Sequence, residues 1–257
     1  MSDARDAASP EQPARGFPRL RRAGLSGLLV SFGDRLTEPA NRAALAFRAA
    51  IEAEDWLEVE ETTSSLVSTF LRFDPLAVPH AQMEARLTRL MTARNWYAAP
   101  LPHGRRHWRI PTVWGGDLAP QLAEAAALAG LDEAAARAEL SGTRVRVLTI
   151  GFAPGQPYLG ELPEHWNLPR QTALNPQVPA GALVLAIRQL TLFTSANPTG
   201  WRHVGQVAFR LFRPDAENPF PLRPGDEVTF TDTPREAWER MRAADPDNAG
   251  ATWEAIG

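Results

Sequence analysis

The chain contains no lysine, because every one of the 27 residues counted as Lys+Arg is an arginine, and it contains no cysteine. The first absence excludes a P-loop lysine, a Schiff-base lysine, a lysine general base and a biotinyl-lysine carrier. The second excludes thiol nucleophiles, disulfides and zinc or iron–sulfur centres built on thiolates. An excess of either charge is also missing. A net charge of -3 gives no long-range pull towards nucleic acid or an anionic membrane. Long hydrophobic runs are absent as well: the longest apolar stretches, such as Ala182 to Ile187, fall far below the ~20 residues of a membrane-spanning helix. The opening MSDARDAASPEQPARGFP has no apolar signal-peptide core, so residues 1–20 are expected to be a disordered tail. These absences point to a soluble, cytoplasmic protein without nucleic-acid or membrane partners.

What is present is enough for one large or two ordinary domains: 257 residues with 44% hydrophobic content. GLSGLLVSF (24–32) reads as a buried strand, and PANRAALAFRAAIEA (39–53) as a helix with Pro39 in its first turn. TTSSLVSTFLRF (62–73) reads as a second strand. HAQMEARLTRLM (80–91) follows as a helix with Met83, Leu87, Leu90 and Met91 stacked on one side. This β-α-β-α order predicts a small α+β domain over 21–98. Pro100, Pro102 and Gly104 mark a linker.

Beyond the linker, RHWRIPTVW reads as a strand, and DLAPQLAEAAALAGL as a helix starting at Asp117. A helix from Asp132 to Leu140 leads into an alternating strand, Thr143 to Phe152. Glycine and proline then punctuate every few residues between short strands at 183–187, 189–194, 202–211 and 227–231. That texture predicts a β-barrel or sandwich, assigned here to 99–235. Residues 236–257 read as a short helix and a loose end.

GFAPGQPYLGEL, Gly151 to Leu162, is the most informative stretch. Glycines beside prolines force a chain reversal that exposes backbone N–H groups, which suits a pocket wall or a tight turn. LPRQTALNPQVPAGAL (168–183), NPTGWRHVGQVAFRLF (197–212) and LRPGDEVTF (222–230) follow it. LLVSFGD, TTSSLVSTFLRFDPL and RIPTVWGGDLAPQLAEAAALAGL precede it in matching order. In these segments the chain resembles the family of 5-oxoprolinase B subunits, also called allophanate hydrolase subunit 1 or KipI, from about residue 24 to 231.

The resemblance implies an α+β fold: a small N-terminal α+β domain followed by a cyclophilin-like β-barrel. It also implies a homologous barrel partner of the KipA type, the C subunit of 5-oxoprolinases. With a third subunit, the pair performs ATP-dependent opening of the 5-oxoproline ring. Two alternatives come with the family. One is a carboxyltransferase half of a urea carboxylase or allophanate hydrolase system, and the other is a non-catalytic histidine-kinase inhibitor.

The candidate pocket comprises Gly151, Phe152, Pro154, Gly155, Gln156, Tyr158, Arg170, Arg188, Gln189 and Trp201. No catalytic residue and no metal ligand is assigned. With neither a P-loop lysine nor a biotin attachment point, the chain is expected to bind no cofactor alone, and ATP is expected only in the assembled complex.

Departures from the family pattern fall at polar and loop positions. A usual His-Ser/Thr pair is Leu140-Ser141, and PGF becomes Pro154-Gly155-Gln156. GGQTG becomes Ile187-Arg188-Gln189-Leu190-Thr191, SPGGW becomes Asn197-Pro198-Thr199-Gly200-Trp201, and a common arginine is Gln206. These changes remove a candidate base, an anion anchor and two loop glycines, and imply a pocket of altered polarity that is inactive alone.

Arg170 and Arg188 are the residues suited to gripping a carboxylate bidentately, with structural salt bridges as the competing role. His103 and His107 are expected as exposed loop histidines. Ser195 and His203 form a conceivable but unsupported nucleophile–base pair, and Asp226 is expected to form a turn. Trp56, Trp96, Trp108 and Trp114 are expected in the core.

Overall fold

The computed structural model describes residues 16–257. The chain divides into two compact units, one ending at Pro102 and one running from His103 to Gly257.

The first unit is built from β1 (Arg19–Ala23), β2 (Gly27–Ser31), α1 (Glu38–Ala53), β3 (Val59–Ser64), β4 (Ser68–Phe73) and α2 (His80–Thr92). Its antiparallel sheet has the order β1-β2-β4-β3. Helix α1 starts where Thr37 accepts a hydrogen bond from the Ala40 N–H at 3.3 Å. Its buried Ala40, Ala43, Ala44, Phe47 and Ile51 recur at helical spacing and face the sheet. Phe47 meets the edges of Phe32 and Trp96 at 5.4 and 5.0 Å. The Tyr97 hydroxyl donates to the Phe32 carbonyl at 2.8 Å. Trp56 packs only at the margin of this core.

The sequence reading of this unit needs two corrections. The single strand expected over 62–73 is a hairpin, β3 and β4, closed by Ser65 N–H donating to Ser68 O. The tail expected over 1–20 falls outside the described residues for 1–15, and Arg19 and Leu20 already belong to β1.

The second unit contains β5 (Arg105–Trp114), α3 (Leu122–Leu128), α4 (Glu133–Gly142), β6 (Arg144–Ile150), β7 (Pro157–Gly160) and β8 (Asn175–Val178). It continues with β9 (Ala182–Ala186), β10 (Gln189–Leu192), β11 (Asn197–Thr199), β12 (Arg202–Val207), β13 (Glu227–Asp232), α5 (Arg235–Ala244) and β14 (Thr252–Ile256). Strands β12-β9-β10-β7-β6-β13-β5 pair in that order, and β5 also pairs with β12, so the sheet closes into a seven-stranded barrel. The fold is thus mixed α+β with a barrel.

Residues from all seven strands form one apolar cluster, among them Ile110, Val147, Leu159, Leu183, Leu190, Val204 and Phe230. That cluster is the barrel interior. Gly205 sits where a Cβ would lie 3.0 Å from Thr112 Cγ2 and 3.3 Å from Trp114 Cε3, so glycine is what lets β12 close onto β5.

β8 and β11 form a separate two-stranded ribbon. Among the described residues, no helix is long and apolar enough to cross a membrane.

Four further expectations change in this unit. The helix expected from Asp117 begins only at Leu122, after a short turn over Gly116–Leu118. Pro120 disfavours helical geometry in the residue before it, and Asp117 instead pairs with Arg235 at 2.8 Å. His107 is not an exposed loop residue; it is buried in β5, with Nε2 2.9 Å from Thr229 Oγ1 and Nδ1 3.3 Å from Glu254. The expected loose end carries β14, paired antiparallel to β5 through Trp253↔Trp108. Finally, the 151–162 loop contains a strand, β7, paired with both β6 and β10.

Candidate functional site

Alternation along a strand sends successive side chains to opposite faces, and the barrel registers extend this across strands. Thr149 pairs with Tyr158, Tyr158 with Thr191, Thr191 with Val184, and Val184 with His203. Neighbours such as Leu159, Leu190 and Leu183 belong to the interior. The row from Thr149 to His203 therefore lies on the outer face of β6, β7, β10, β9 and β12. A parallel row runs through Ala182, whose partner is Gln206 and whose carbonyl accepts from Phe193 N–H. Gln156 joins it two residues before Tyr158. A third row holds Arg146, Gly160, Gln189 and Ala186.

The middle of this face is apolar and low. Ala182, Val184 and Ala186 of β9 are fully buried and cluster with Val178, Phe193 and Trp201, with Tyr158 packed beside them. Tyr158 and Trp201 meet edge-on with ring centroids 6.2 Å apart. Val178 comes from the β8–β11 ribbon, so the ribbon covers β9.

A polar network fastens this cover. Gln121 Nε2 donates to Gln171 Oε1 at 2.8 Å, and Gln121 Oε1 accepts from Asn175 Nδ2 at 2.9 Å and from the His203 N–H at 2.9 Å. Asn175 and Gln171 both donate to the Trp201 carbonyl. Arg202 is held by Glu124 at 2.8 Å and by the Pro169 carbonyl at 2.7 Å.

Flanking the apolar floor are polar side chains that are buried yet lack a partner in the chain. Gln156 Oε1, Thr191 Oγ1, His203 Nε2 and Gln206 Oε1 each have none, and all four residues are at least nine-tenths buried. A buried polar atom left unpaired costs about 1–3 kcal/mol, and four of them sit together on this face. Gln206 Nε2 donates to the carbonyls of Ala180 and Val207 at 2.9 and 3.0 Å. Burial pushes the His203 imidazole below its ordinary value, against smaller opposing hydrogen bonds with the Gly205 backbone and the Gln206 side chain. Burial thus favours the neutral form of His203.

The expected pocket residues separate into groups. Gln156, Tyr158, Gln189 and Trp201 share the outer face. Gly151, Phe152, Pro154 and Gly155 form the adjoining turn, closed by Gly151 N–H donating to Gln156 O at 3.0 Å. Phe152 stands 76% exposed at its tip. Arg170 lies exposed over the Trp201 ring at 5.6 Å. Arg188 sits in the β9–β10 turn, where Glu164 at 3.0 Å and the Leu162 carbonyl at 2.9 Å occupy its guanidinium; the structural salt bridge is what forms there. Ser195 is exposed and accepts from Asn197 Nδ2, apart from the row that holds His203. Asp226 closes the expected turn, its N–H donating to the Arg223 carbonyl and its Oδ2 accepting from the Arg223 N–H, and it is also buried in an ion pair with Arg106. Leu140 is an interior residue of the barrel unit.

Thr191 and Val184 were missed from sequence, although the strict Leu190-Thr191-Leu192 alternation places Thr191 outward. Among the described residues, no group of three or more His, Cys, Asp or Glu is placed to hold a metal ion.

Comparison with known proteins places this geometry in context. The family model described as "Carboxyltransferase domain, subdomain C and D" matches residues 18–222. The 5-oxoprolinase B subunit of Escherichia coli O157:H7 is 40% identical over 125 residues, 49% of this chain and 57% of the relative. The chain thus aligns with little more than half of that relative's length. The 5-oxoprolinase B subunit of Bacillus subtilis (strain 168) is 28% identical over 227 residues, 82% of this chain and 91% of the relative.

Among solved structures, TTHA0988 matches 84% of this chain and 40% of its own, with 29% identity and a TM-score of 0.67. The Kluyveromyces lactis urea carboxylase matches 92% of this chain and 24% of its own at 15% identity, TM-score 0.67, a likeness of fold alone.

Proposed function

The chain belongs to the carboxyltransferase-domain family of subdomains C and D, and on that premise we propose that it is the B-subunit-like component of a 5-oxoprolinase-type assembly. It pairs with a homologous barrel of the KipA type. With a third subunit, the pair carries out ATP-dependent hydrolysis of 5-oxoproline or a related small amide. The relatives named as 5-oxoprolinase B subunits support the reaction class. The observation that carries the site is the outer barrel face, where Gln156, Thr191, His203 and Gln206 present unpaired buried polar atoms beside Tyr158 and Trp201.

In this reading the chain binds and orients the amide while nucleotide chemistry belongs to another subunit. Neutral His203 is able to accept a proton, and the glutamines and Thr191 hydrogen-bond an amide without supplying charge. The face holds no thiol or lysine nucleophile; in this reading water adds to the ring carbonyl carbon as the C–N bond breaks, and the nitrogen leaves as the amine after taking up a proton.

The test is reconstitution. The chain is co-expressed with a KipA-type barrel and the third subunit, and ATP-dependent formation of glutamate from 5-oxoproline is measured, with omission of each component in turn. The expected result is co-purification of the two barrels and turnover only by the full set. A stable chain that ignores the partner, or turnover undiminished without this chain, contradicts the proposal. Carboxyl transfer from a biotinylated carrier to urea, measured in parallel, would move the chain to the carboxyltransferase reading.

A further inference from the structure

Three leucines stand almost wholly in solvent: Leu25 at 89%, Leu57 at 93% and Leu76 at 96% exposure. Far apart in sequence, they are gathered at one end of the β1-β2-β4-β3 sheet. Leu25 sits in the β1–β2 turn, between the paired Ala23 and Gly27. The Phe73 N–H at the end of β4 donates to the Ser26 carbonyl of that turn at 3.0 Å, and the Asp74 N–H donates to the Glu58 carbonyl at 2.9 Å. Leu76 lies just beyond Asp74, and Leu57 directly precedes Glu58. The three tips therefore succeed one another along the strand ends, in a row of roughly 10–15 Å at ordinary strand spacing.

None of these tips hangs on slack chain. The turn carrying Leu57 is closed by the Val59 N–H donating to the Trp56 carbonyl at 2.9 Å. Arg86 pins the same turn, pairing with Glu58 at 3.1 Å and lying 5.7 Å from the Trp56 ring. The turn carrying Leu76 is closed by the Val78 N–H donating to the Asp74 carbonyl at 3.1 Å, and the Leu76 N–H itself donates to Asp74 Oδ1 at 2.8 Å. Scattered single leucines on a surface are ordinary, whereas a rigid group of them at one edge marks a binding surface. Closed turns also leave such a group little freedom to lose on binding.

The charge around the leucines is biased. Arg22 is taken by Glu84, Arg72 by Glu60 and Glu61, and Arg86 by Glu58. Glu54 and Asp55 precede Leu57, and Asp74 precedes Leu76; among the described residues no ion pair reaches these three carboxylates. Arg21 of β1 is the neighbouring arginine outside these pairs. The rim is therefore acidic. It repels an anionic lipid surface, and a second copy would bring like charges together. We propose that this end of the sheet docks a basic amphipathic helix of a partner protein, the leucines entering its apolar seam and the carboxylates meeting its arginine or lysine flanks. Strand separation of about 4.8 Å is close to the helical pitch of about 5.4 Å, so tips on neighbouring strands meet successive turns of a helix laid across the strand ends. A patch of this size gives a small, reversible contact rather than a permanent one.

The experiment uses the full chain and a fluorescent helical peptide about five turns long, with leucine at every third or fourth position and arginine on both flanks. A second peptide carries glutamate in place of arginine. Binding is followed by anisotropy, and the same chain is tested on phosphatidylglycerol vesicles and by sedimentation alone. The expected result is micromolar binding of the arginine peptide that weakens with salt, and at least tenfold weaker binding of the glutamate peptide, on the order of one to two ion pairs. Leu25→Ser, Leu57→Ser and Leu76→Ser together should weaken the arginine peptide by at least about thirtyfold, with the near-UV circular dichroism unchanged because these side chains face solvent. Leu57→Ser alone weakens it several-fold should the triple variant fold poorly. Leu128→Ser, at an exposed leucine of α3, leaves binding as it is.

No binding of the arginine peptide overturns the proposal, and so does binding that survives the triple substitution or falls equally with Leu128→Ser. Equal affinity for the glutamate peptide overturns the acidic rim as the selector. Vesicle binding, or self-association, that is lost in the triple variant assigns the leucines to a lipid surface or to a second copy instead and overturns the helix as occupant. None of these readings uses turnover, so the proposed function stands or falls separately.

Discussion

Replacing Asp226 by asparagine tests how the barrel rim is held. Asp226 is 2% exposed. Its Oδ1 accepts from the Arg106 N–H at 2.9 Å, and its Oδ2 accepts from Arg106 Nη2 at 2.6 Å and from the Arg223 N–H at 3.1 Å. The guanidinium lies 5.1 Å from the Trp108 ring and 5.7 Å from the Trp253 ring, which ties β5, β14 and the turn before β13 together.

Asp226→Asn keeps the volume but removes the charge, and turns one acceptor into a donor facing other donors. The arginine stays buried without its counter-ion, a loss of about 3–5 kcal/mol. In a unit of roughly 150 residues, where each kcal/mol moves Tm by about 2–4 °C, the lower figure lowers Tm by about 6–12 °C. Urea unfolding followed by near-UV circular dichroism reports the tryptophans of this rim. Arg106→Met combined with Asp226→Asn removes the stranded cation and should lose less than Asp226→Asn alone. A single-variant loss below about 1 kcal/mol, the range of exposed pairs, would refute the reasoning.

Three more outcomes are expected. Gly181→Ala forces a Cβ into the Val207 carbonyl at a positive φ, so it should destabilise the barrel by at least about 2 kcal/mol by calorimetry and free the Gln206 amide. Burial pushes the Tyr97 phenol up to about 12. The folded state therefore holds that proton after the unfolded chain has released it, and stability should fall as pH rises from about 10 towards 12. Ultraviolet titration should accordingly show one of the two tyrosines ionising late. His203, held below its ordinary value by burial, binds its proton more readily when unfolded, so stability should fall as pH drops below about 6.5. That fall should be shallower in His203→Gln.

Local pattern made much of this architecture readable. Ala43, Ala44, Phe47 and Ile51 announce α1, and Leu183, Leu185, Leu190 and Leu192 announce the β9–β10 hairpin, because burial on one side imposes a period on the chain. Elements without a buried face stayed hidden. β1, RLRRA, and β14, TWEAI, are largely exposed edge strands held by backbone pairing. β7 is four residues long and begins with a proline inside a stretch that reads as a loop.

The site was only half readable for a different reason. Gln156, Tyr158, Gln189 and Trp201 stood out by motif. Their meeting with Thr191, His203 and Gln206 depends on registers between distant strands, which no local window contains. Of the arginines chosen for charge, Arg188 is held in an ion pair with Glu164 and Arg170 lies at the surface over Trp201, neither of them among Gln156, Thr191, His203 and Gln206.

The most direct test of the outer barrel face as the site is turnover by the reconstituted assembly when this chain carries Thr191→Val or Gln156→Ala, set against Arg235→Ala on the surface pair with Asp117. The two outer-face variants should lower kcat/KM for the amide at least tenfold while the barrels still co-purify, with Arg235→Ala close to the unaltered chain. Outer-face variants that turn over like Arg235→Ala would contradict this placement, and the site would have to be sought elsewhere in the assembly.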